Sequence, residues 1–414
     1  MNYKSTDNLK CDFLIIGAGV IGLTTAYELK KTQPECTIAI IEKEPDVARH
    51  ASGRNSGVLH AGFYYTSDSL KAKFTKDGNR LMKEFCRENE IYINECKKVV
   101  VATNEEELKS LYELEKRGKQ NNVDVRLIDE EELYQIEPNS KTFKKALFSP
   151  TTASVNPVEV CQKLKQILVQ KGIEFFFNTI YLKNKGNLVS TNNQRFEAGF
   201  VINAAGLYAD LIARNFGFSK KYVIIPFKGR YLKYTGKDCP VRTNIYPVPN
   251  LKNPFLGVHY TVTSNNSIKI GPTATPAFWR ENYSGFRNFK LSEFLEIAYY
   301  ESKLLVLNSF NFRELAISEI RKYNKKYFSS LALKLSSNCD PRNFSEWMMP
   351  GIRAQLLNKE TMQLEMDFIV ESNDHSLHIL NAVSPAFTCS FSFAKFLVNE
   401  KIPTSSVLKS SISA

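Results

Sequence analysis

The sequence predicts an α/β protein in which a parallel, helix-flanked sheet is joined to a second, mostly antiparallel sheet. Three observations carry this. The apolar run Phe13 to Ile16 meets a glycine-rich turn, a helical stretch and a second β-branched run, Thr37 to Ile41. Small-residue stretches recur at Asn203-Ala204-Ala205-Gly206 and Ser384-Pro385-Ala386, each beside a strand or helix pattern. Between Tyr222 and Thr273, Pro226, Gly229, Pro247, Pro249, Gly257 and Pro272 punctuate short strands, as in an antiparallel sheet.

The first unit reads as strand, turn, helix and strand. Gly17-Ala18-Gly19-Val20-Ile21-Gly22 follows the first strand at once, and a helix from Val20 to Lys30 shows one apolar side before Pro34 stops it. Gly17 permits the tight turn, Gly19 lets backbone N–H groups approach a pyrophosphate at the positive helix end, and Gly22 lets helix and strand pack closely. Glu42 ends the second strand, roughly 20 residues beyond the fingerprint, where a carboxylate can accept hydrogen bonds from a ribose. This is a cradle for an ADP moiety. It does not distinguish FAD from NAD, and a plain βαβ unit is the competing reading.

Ala51 to Tyr65 is dense in small and hydrogen-bonding residues and reads as a loop pressed against a ligand. Gly53, Gly57 and Gly62 allow close approach, while Ser52, Arg54, Asn55 and Ser56 can donate to phosphate or carbonyl oxygens. A polar surface loop is the alternative. A helix from Ser69 to Glu90, a strand Val99 to Ala102, a charged helix Glu105 to Lys119 and a strand Val123 to Ile128 begin a second domain. Asn156 as N-cap and Pro157 as first helical residue mark a return to the first. Strands Ile173 to Phe177 and Phe200 to Ile202 follow, then a helix from Tyr208 to Asn215. Ser292 to Ser309 and a lysine-rich region up to Ser337 read as helices. Gly351 to Gln355 precedes two strands, the second Leu377 to Leu380, and Ser384 to Thr388 opens the last helix. The expected domains are 10–80, 150–215 and 345–400 for the cofactor, 81–149 and 216–344 for the substrate, and a flexible tail at 401–414.

Lys plus Arg exceeds Asp plus Glu by 55 to 43, a net charge of +12. The basic clusters Lys97-Lys98, Lys220-Lys221 and Arg321-Lys322 to Lys325-Lys326 are short, and solvated surface rather than nucleic-acid binding is the expectation. The eight cysteines form no Cys-x-x-Cys pair and have no histidines at zinc spacing, so reduced thiols and no metal site are expected. The expected location is cytoplasmic, with peripheral association on the inner face of a membrane left open.

The chain resembles the FAD-dependent oxidoreductases of the D-amino-acid oxidase superfamily, most closely the L-2-hydroxyglutarate dehydrogenases and oxidases. The likeness rests on Gly17 to Gly22 with Glu42, Ala51 to Tyr65, Ser69 to Lys73, Asn203 to Gly206, Ile245 to Pro249, Pro254 to Thr261, Gly271-Pro272 and Gly351 to Gln355. It implies an FAD-binding Rossmann-like domain and a substrate domain with a mostly antiparallel sheet. It further implies FAD contacts from the fingerprint, from Lys43, from Ser52 to Gly57, from Ala205, Gly206 and Gly351, and from Pro385, Ala386 and Thr388. The implied reaction oxidises a 2-hydroxy dicarboxylate and passes electrons to quinone or oxygen. His60 is the leading base candidate because it lies in the glycine-rich run, and His259 is the second. Arg353 is placed to bind a carboxylate bidentately, with Lys71, Lys73, Tyr246 and Tyr260 as further substrate contacts. A structural histidine, a surface ion pair and a solvated helix face are the competing readings. Arg230, where an acidic residue is usual, and Phe387, where small residues are usual, depart from the family pattern. An amine or glycerol-phosphate oxidising relative and a flavin-binding protein without turnover are the alternatives.

Overall fold

The structure is a computed structural model that describes residues 8–236, 241–249, 257–336 and 338–405. Cys239, Pro254 to Leu256 and most of the expected tail lie outside them. Phe13, Leu14, Ile15 and Ile16 are all buried, which requires cover on both faces of their strand. Leu9–Ile16 accordingly sits inside a sheet ordered Ile369–Ser372, Ser376–Asn381, Arg195–Asn203, Leu9–Ile16, Ile38–Ile41, Glu174–Phe176. The last five strands run parallel, with Ile16 beside both Asn203 and Ile41. An antiparallel hairpin, Tyr181–Lys185 and Leu188–Thr191, extends from Arg195–Asn203 and has no strong sequence signal.

Phe13 and Ile15 pack against the helices Val20–Thr32, Pro157–Gln170 and Ala386–Glu400, while Leu14 and Ile16 meet Ile212 of Ala209–Asn215 on the other face. Val20–Thr32 is buried almost all round rather than on one side, because it lies between the sheet and the other two helices. Asn156 caps Pro157–Gln170 as expected, its side chain accepting from the Val158 and Glu159 N–H groups.

The second sheet runs Phe344–Trp347, Leu232–Tyr234, Ile268–Gly271, His259–Val262, Asn244–Pro247, Lys98–Val101, Lys145–Ser149, Arg126–Asp129. Its pairs are antiparallel except Lys98–Val101 with Asn244–Pro247. Gly351 to Gln355 does not precede a strand but begins one. Gly351–Asn358 pairs along its whole length with Tyr222–Gly229. The chain from 345 therefore joins the antiparallel sheets first, and it reaches the parallel sheet only at Ile369–Ser372. Helices Leu291–Leu307, Phe312–Arg321 and Lys325–Leu333 occupy the lysine-rich region. Among the described residues no helix is long and apolar enough to cross a membrane.

Candidate active site

The parallel strands Leu9–Ile16, Ile38–Ile41 and Arg195–Asn203 end at one edge, where open α/β sheets place their ligands. A cavity of about 1390 Å³ starts there and runs to the antiparallel sheets, lined by Gly17, Glu42, Ser52, His60, Arg353 and Thr388 among others. This exceeds the roughly 300–1,000 Å³ of an ordinary small-molecule pocket and suits an elongated cofactor with substrate beside it.

At the first end the Gly17 φ of +106° is a conformation natural to glycine, and a Cβ there would meet the Ala204 carbonyl oxygen at 2.7 Å. A Cβ on Gly22 would lie 2.1 Å from the Gly17 carbonyl oxygen, so Gly22 serves helix-to-turn packing and is not part of the cavity wall. Gly19 caps the helix with no side-chain hydrogen bond and no acidic residue follows in the first turn, so the positive helix end, its Val20 N–H taken by Ser52 Oγ, faces the cavity with no carboxylate in its own first turn. That geometry fits a pyrophosphate. The Glu42 carboxylate accepts from Ala18 N–H at 2.8 Å and Glu44 N–H at 3.0 Å at the cavity wall.

Several expected cofactor donors line the cavity while their side chains also bond the protein's own backbone. Ser52 Oγ accepts from Val20 N–H at 2.9 Å, and Asn55 donates to the Ala51 and Ser52 carbonyls while accepting from Gly57 N–H. Arg54 donates to the Arg49 and Pro350 carbonyls and lies 4.1 Å from the Tyr283 ring centroid, although it still lines the cavity. Gly57 is outside the lining; a Cβ there would strike the Val155 carbonyl oxygen at 2.2 Å. Lys43 is tied to Glu44, to Glu281 at 2.7 Å and to His50 at 2.8 Å. His50, not among the residues singled out from the sequence, lines the cavity within that cluster. Ser56, Ala205, Gly206, Gly351, Pro385, Ala386 and Phe387 all line the cavity, so Phe387 is accommodated at its wall.

His60 is fixed at the centre. Its N–H donates to Thr388 Oγ1 at 3.2 Å, the Thr388 hydroxyl donates to the Val58 carbonyl at 3.2 Å, and Asn79 donates to the Leu59 and His60 carbonyls. The His60 Nδ1 lies 3.4 Å from Lys98 Nζ, and burial, then Lys98 and His259, hold its pKa well below the usual 6.5. His259 stacks on Tyr246 with centroids 3.7 Å apart, and its Nδ1 donates to the Gly257 carbonyl at 2.8 Å. Burial pushes it down to about 3.

Arg353 and Lys71 are the cations of this end. Both line the cavity. Burial first and Arg353 second lower Lys71 to about 7, against the partial opposition of Asp367, whose carboxylate accepts from the Leu70 and Lys71 N–H groups. Burial lowers Arg353 to about 10 beside Tyr65 and Tyr231. Tyr231, facing the Ser56 hydroxyl, and Tyr65 were not singled out by sequence.

Three expectations are corrected. Lys73 is exposed, with Nζ over the Phe74 and Phe396 rings, because one helical step beyond Lys71 and Ala72 turns it off the buried face. Tyr260 points to the other side of its strand and bonds Ser336 Oγ at 2.7 Å. Lys98, grouped with Lys97 as solvated, is fully buried, with the Tyr246 ring centroid 4.1 Å away. The uninterrupted run Val99 to Val101 was the available signal, since a strand buried on both faces tends to bury its first residue too. Arg230 lies 4.1 Å from the Trp347 ring centroid, outside the cavity lining.

The chain is 34% identical over 402 residues to an L-2-hydroxyglutarate dehydrogenase of Escherichia coli, covering 94% of this chain and 92% of that protein. It is 32% identical over 422 residues to the mitochondrial L-2-hydroxyglutarate dehydrogenase of Homo sapiens, with coverage of 96% and 90%. Among solved structures, an FAD-bound L-α-glycerophosphate oxidase of Mycoplasma pneumoniae shares the fold at a TM-score of 0.72 and 23% identity, covering 95% and 96% of the two chains. A glycine oxidase of Geobacillus kaustophilus shares it at 0.69 and 18%, covering 96% of each. Residues 12–399 match the family model described as FAD dependent oxidoreductase, and the chain belongs to that DAO family.

Proposed function

We propose that this FAD-dependent oxidoreductase oxidises L-2-hydroxyglutarate to 2-oxoglutarate. The observation that carries the proposal is the pair of cations, Lys71 and Arg353, in one cavity with His60. A dicarboxylate uses two cations, whereas an amine substrate with one carboxylate leaves the second buried charge without a purpose. Arg353 holds one carboxylate through its planar fork and Lys71 the other. His60 Nε2 takes the hydroxyl proton, since Nδ1 is engaged with Lys98. Tyr246 orients His259 by stacking, and His259 Nε2 accepts a hydrogen bond at the reacting end. FAD, when bound beside this site, would supply the acceptor for the hydride of C2. The test is anaerobic mixing of the purified flavoprotein with L-2-hydroxyglutarate, its D form, sarcosine and glycerol 3-phosphate. Bleaching by the L form is expected; bleaching by sarcosine or glycerol phosphate alone overturns the proposal.

For the electron acceptor the favoured reading is a quinone, reached by peripheral association with an anionic bilayer, over direct transfer to oxygen. Leu295, Tyr299, Val306, Ile317 and Ile320 expose apolar surface on the helices Leu291–Leu307 and Phe312–Arg321, and the exposed Lys290, Arg313 and Arg321 lie among them. Lys290 also lines the cavity. Co-sedimentation with phosphatidylglycerol vesicles at low salt, lost on Leu295→Asp with Val306→Asp, supports this; equal sedimentation of the variant rejects it.

A further inference from the structure

A base that must take a proton from an alcohol is poorly served by a lowered pKa, and His60 is held low by burial and by its neighbours. The proton therefore needs a second destination. Lys98 Nζ, itself outside the cavity lining, stands 3.4 Å from His60 Nδ1. Lys98 is fully buried and opens the strand that pairs with Asn244–Pro247 and Lys145–Ser149. The titratable groups around it are His60 and Tyr64 from the loop, Tyr246 from the neighbouring strand Asn244–Pro247, His259 from the strand beyond that one, and Cys96 just before it. No carboxylate among the described residues forms an ion pair with it.

The direction of the His60–Lys98 hydrogen bond decides whether His60 can work. An ammonium at Lys98 donates to Nδ1, which leaves the proton of the neutral ring on Nε2 and blocks it as an acceptor. A neutral amine accepts from Nδ1–H, which leaves the Nε2 lone pair facing the substrate. We propose that Lys98 is a positioning residue that sets the His60 tautomer and takes over the substrate proton through the imidazole. The substrate O–H bond breaks as Nε2–H forms, and Nδ1–H breaks as a third Nζ–H forms on Lys98. The electron pair of the C2–H bond would leave as hydride to the acceptor that FAD supplies when bound, and Lys98 ends as ammonium and His60 as a neutral ring. Burial lowers Lys98 to about 7, which keeps a neutral fraction near neutral pH. His259 offers no such path, because its Nδ1–H is bonded to the Gly257 carbonyl, which cannot retain a proton.

This inference rests on the proposed reaction, and its test separates the two. Stopped-flow flavin reduction is followed from pH 5.5 to 9 for the wild type, Lys98→Met and Lys98→Arg, with KM recorded for each. The wild-type rate falls about tenfold per pH unit below 7. Lys98→Met loses that limb and is at least about 100-fold slower. Lys98→Arg, a permanent cation of similar reach, is as slow at every pH, with KM near wild type. Independently of turnover, ¹⁵N spectra of the wild-type histidines at pH 8 show His60 as the Nδ1–H tautomer, changing to Nε2–H at pH 6. Lys98→Arg with the wild-type pH profile, or an Nε2–H His60 at pH 8, overturns the inference even if a variant folds poorly. Failure of L-2-hydroxyglutarate to reduce the flavin removes the proposed substrate and leaves the tautomer experiment to decide Lys98 alone.

Discussion

Lys71→Met should make the free protein more stable and the enzyme worse, two effects a purely structural lysine does not combine. Lys71 is buried beside Arg353, and its pKa falls from 10.5 to about 7. At about 1.4 kcal/mol per pH unit, that drop sets roughly 5 kcal/mol as the upper bound on the cost of holding it charged. The sign follows from proton binding. Between about pH 7 and 10.5 the unfolded chain holds the Lys71 proton and the native state does not, so this group makes stability rise with pH across that window. Below pH 7 both states hold it and the full cost persists. The gain from methionine is therefore largest at pH 6 and shrinks toward pH 10, as read in urea midpoints at the two values. Binding moves the other way. A charge-assisted hydrogen bond contributes about 1.5–3 kcal/mol, so KM for L-2-hydroxyglutarate should rise roughly 10- to 150-fold. Wild-type KM should also climb above pH 7 by up to about tenfold per pH unit, a limb absent from the variant. A variant less stable at pH 6 and unchanged in KM would refute the reasoning.

Gly19→Val should yield protein without flavin absorbance, because a Cβ there already meets Ser52 Oγ at 3.1 Å and larger atoms fill the helix end. Gly78→Ala should cost about 1–3 kcal/mol in urea melts despite alanine's better helix propensity, since its Cβ would lie 2.5 Å from the Thr388 carbonyl oxygen. Arg280→Met leaves Asp210 buried without the partner 2.6 Å away and should cost about 3–5 kcal/mol, with KM unchanged in the protein that folds. Arg230→Ala should lose the stacking on Trp347 and the more distant contact with the Tyr323 ring, about 1 kcal/mol together, and keep KM within about twofold.

What was legible in the sequence was local. Gly22 is constrained by Gly17 and Ile15 close by in the chain, and the strand, turn, helix and strand around Gly17 and Gly19 are contiguous, so the spacing announces the cradle even though Ala204 and Ser52 crowd Gly17 and Gly19 from elsewhere. Lys71 and Arg353 are 282 positions apart, and only the return of Gly351–Asn358 beside Tyr222–Gly229 brings Arg353 to the cavity. Lys73 and Tyr260 failed for a related reason: a motif names a stretch, while helix and strand periodicity decide which of its residues turn inward. Ser52 and Asn55 show another limit. Their chemistry was read correctly as hydrogen bonding, but their partners are the backbone that holds the loop in place. Arg230, which departs from the family pattern where an acidic residue is usual, is stacked on an aromatic ring outside the cavity lining.

Two buried lysines near 7 make opposite demands on this active site. Lys71 must be charged to bind a dicarboxylate, and Lys98 must be neutral to leave His60 Nε2 open. With both values near 7, the free enzyme holds at most about a quarter of its molecules in the competent combination, and that maximum lies near neutrality. A bound carboxylate raises the Lys71 pKa and removes its limb, while the Lys98 limb stays because the substrate does not touch that amine. kcat/KM is then a bell centred near pH 7, and kcat a single rise through the same region. The two profiles share one limb only if the cation that binds and the amine that positions the base are different residues, which is what the separation of Lys71 on a helix from Lys98 on a strand provides.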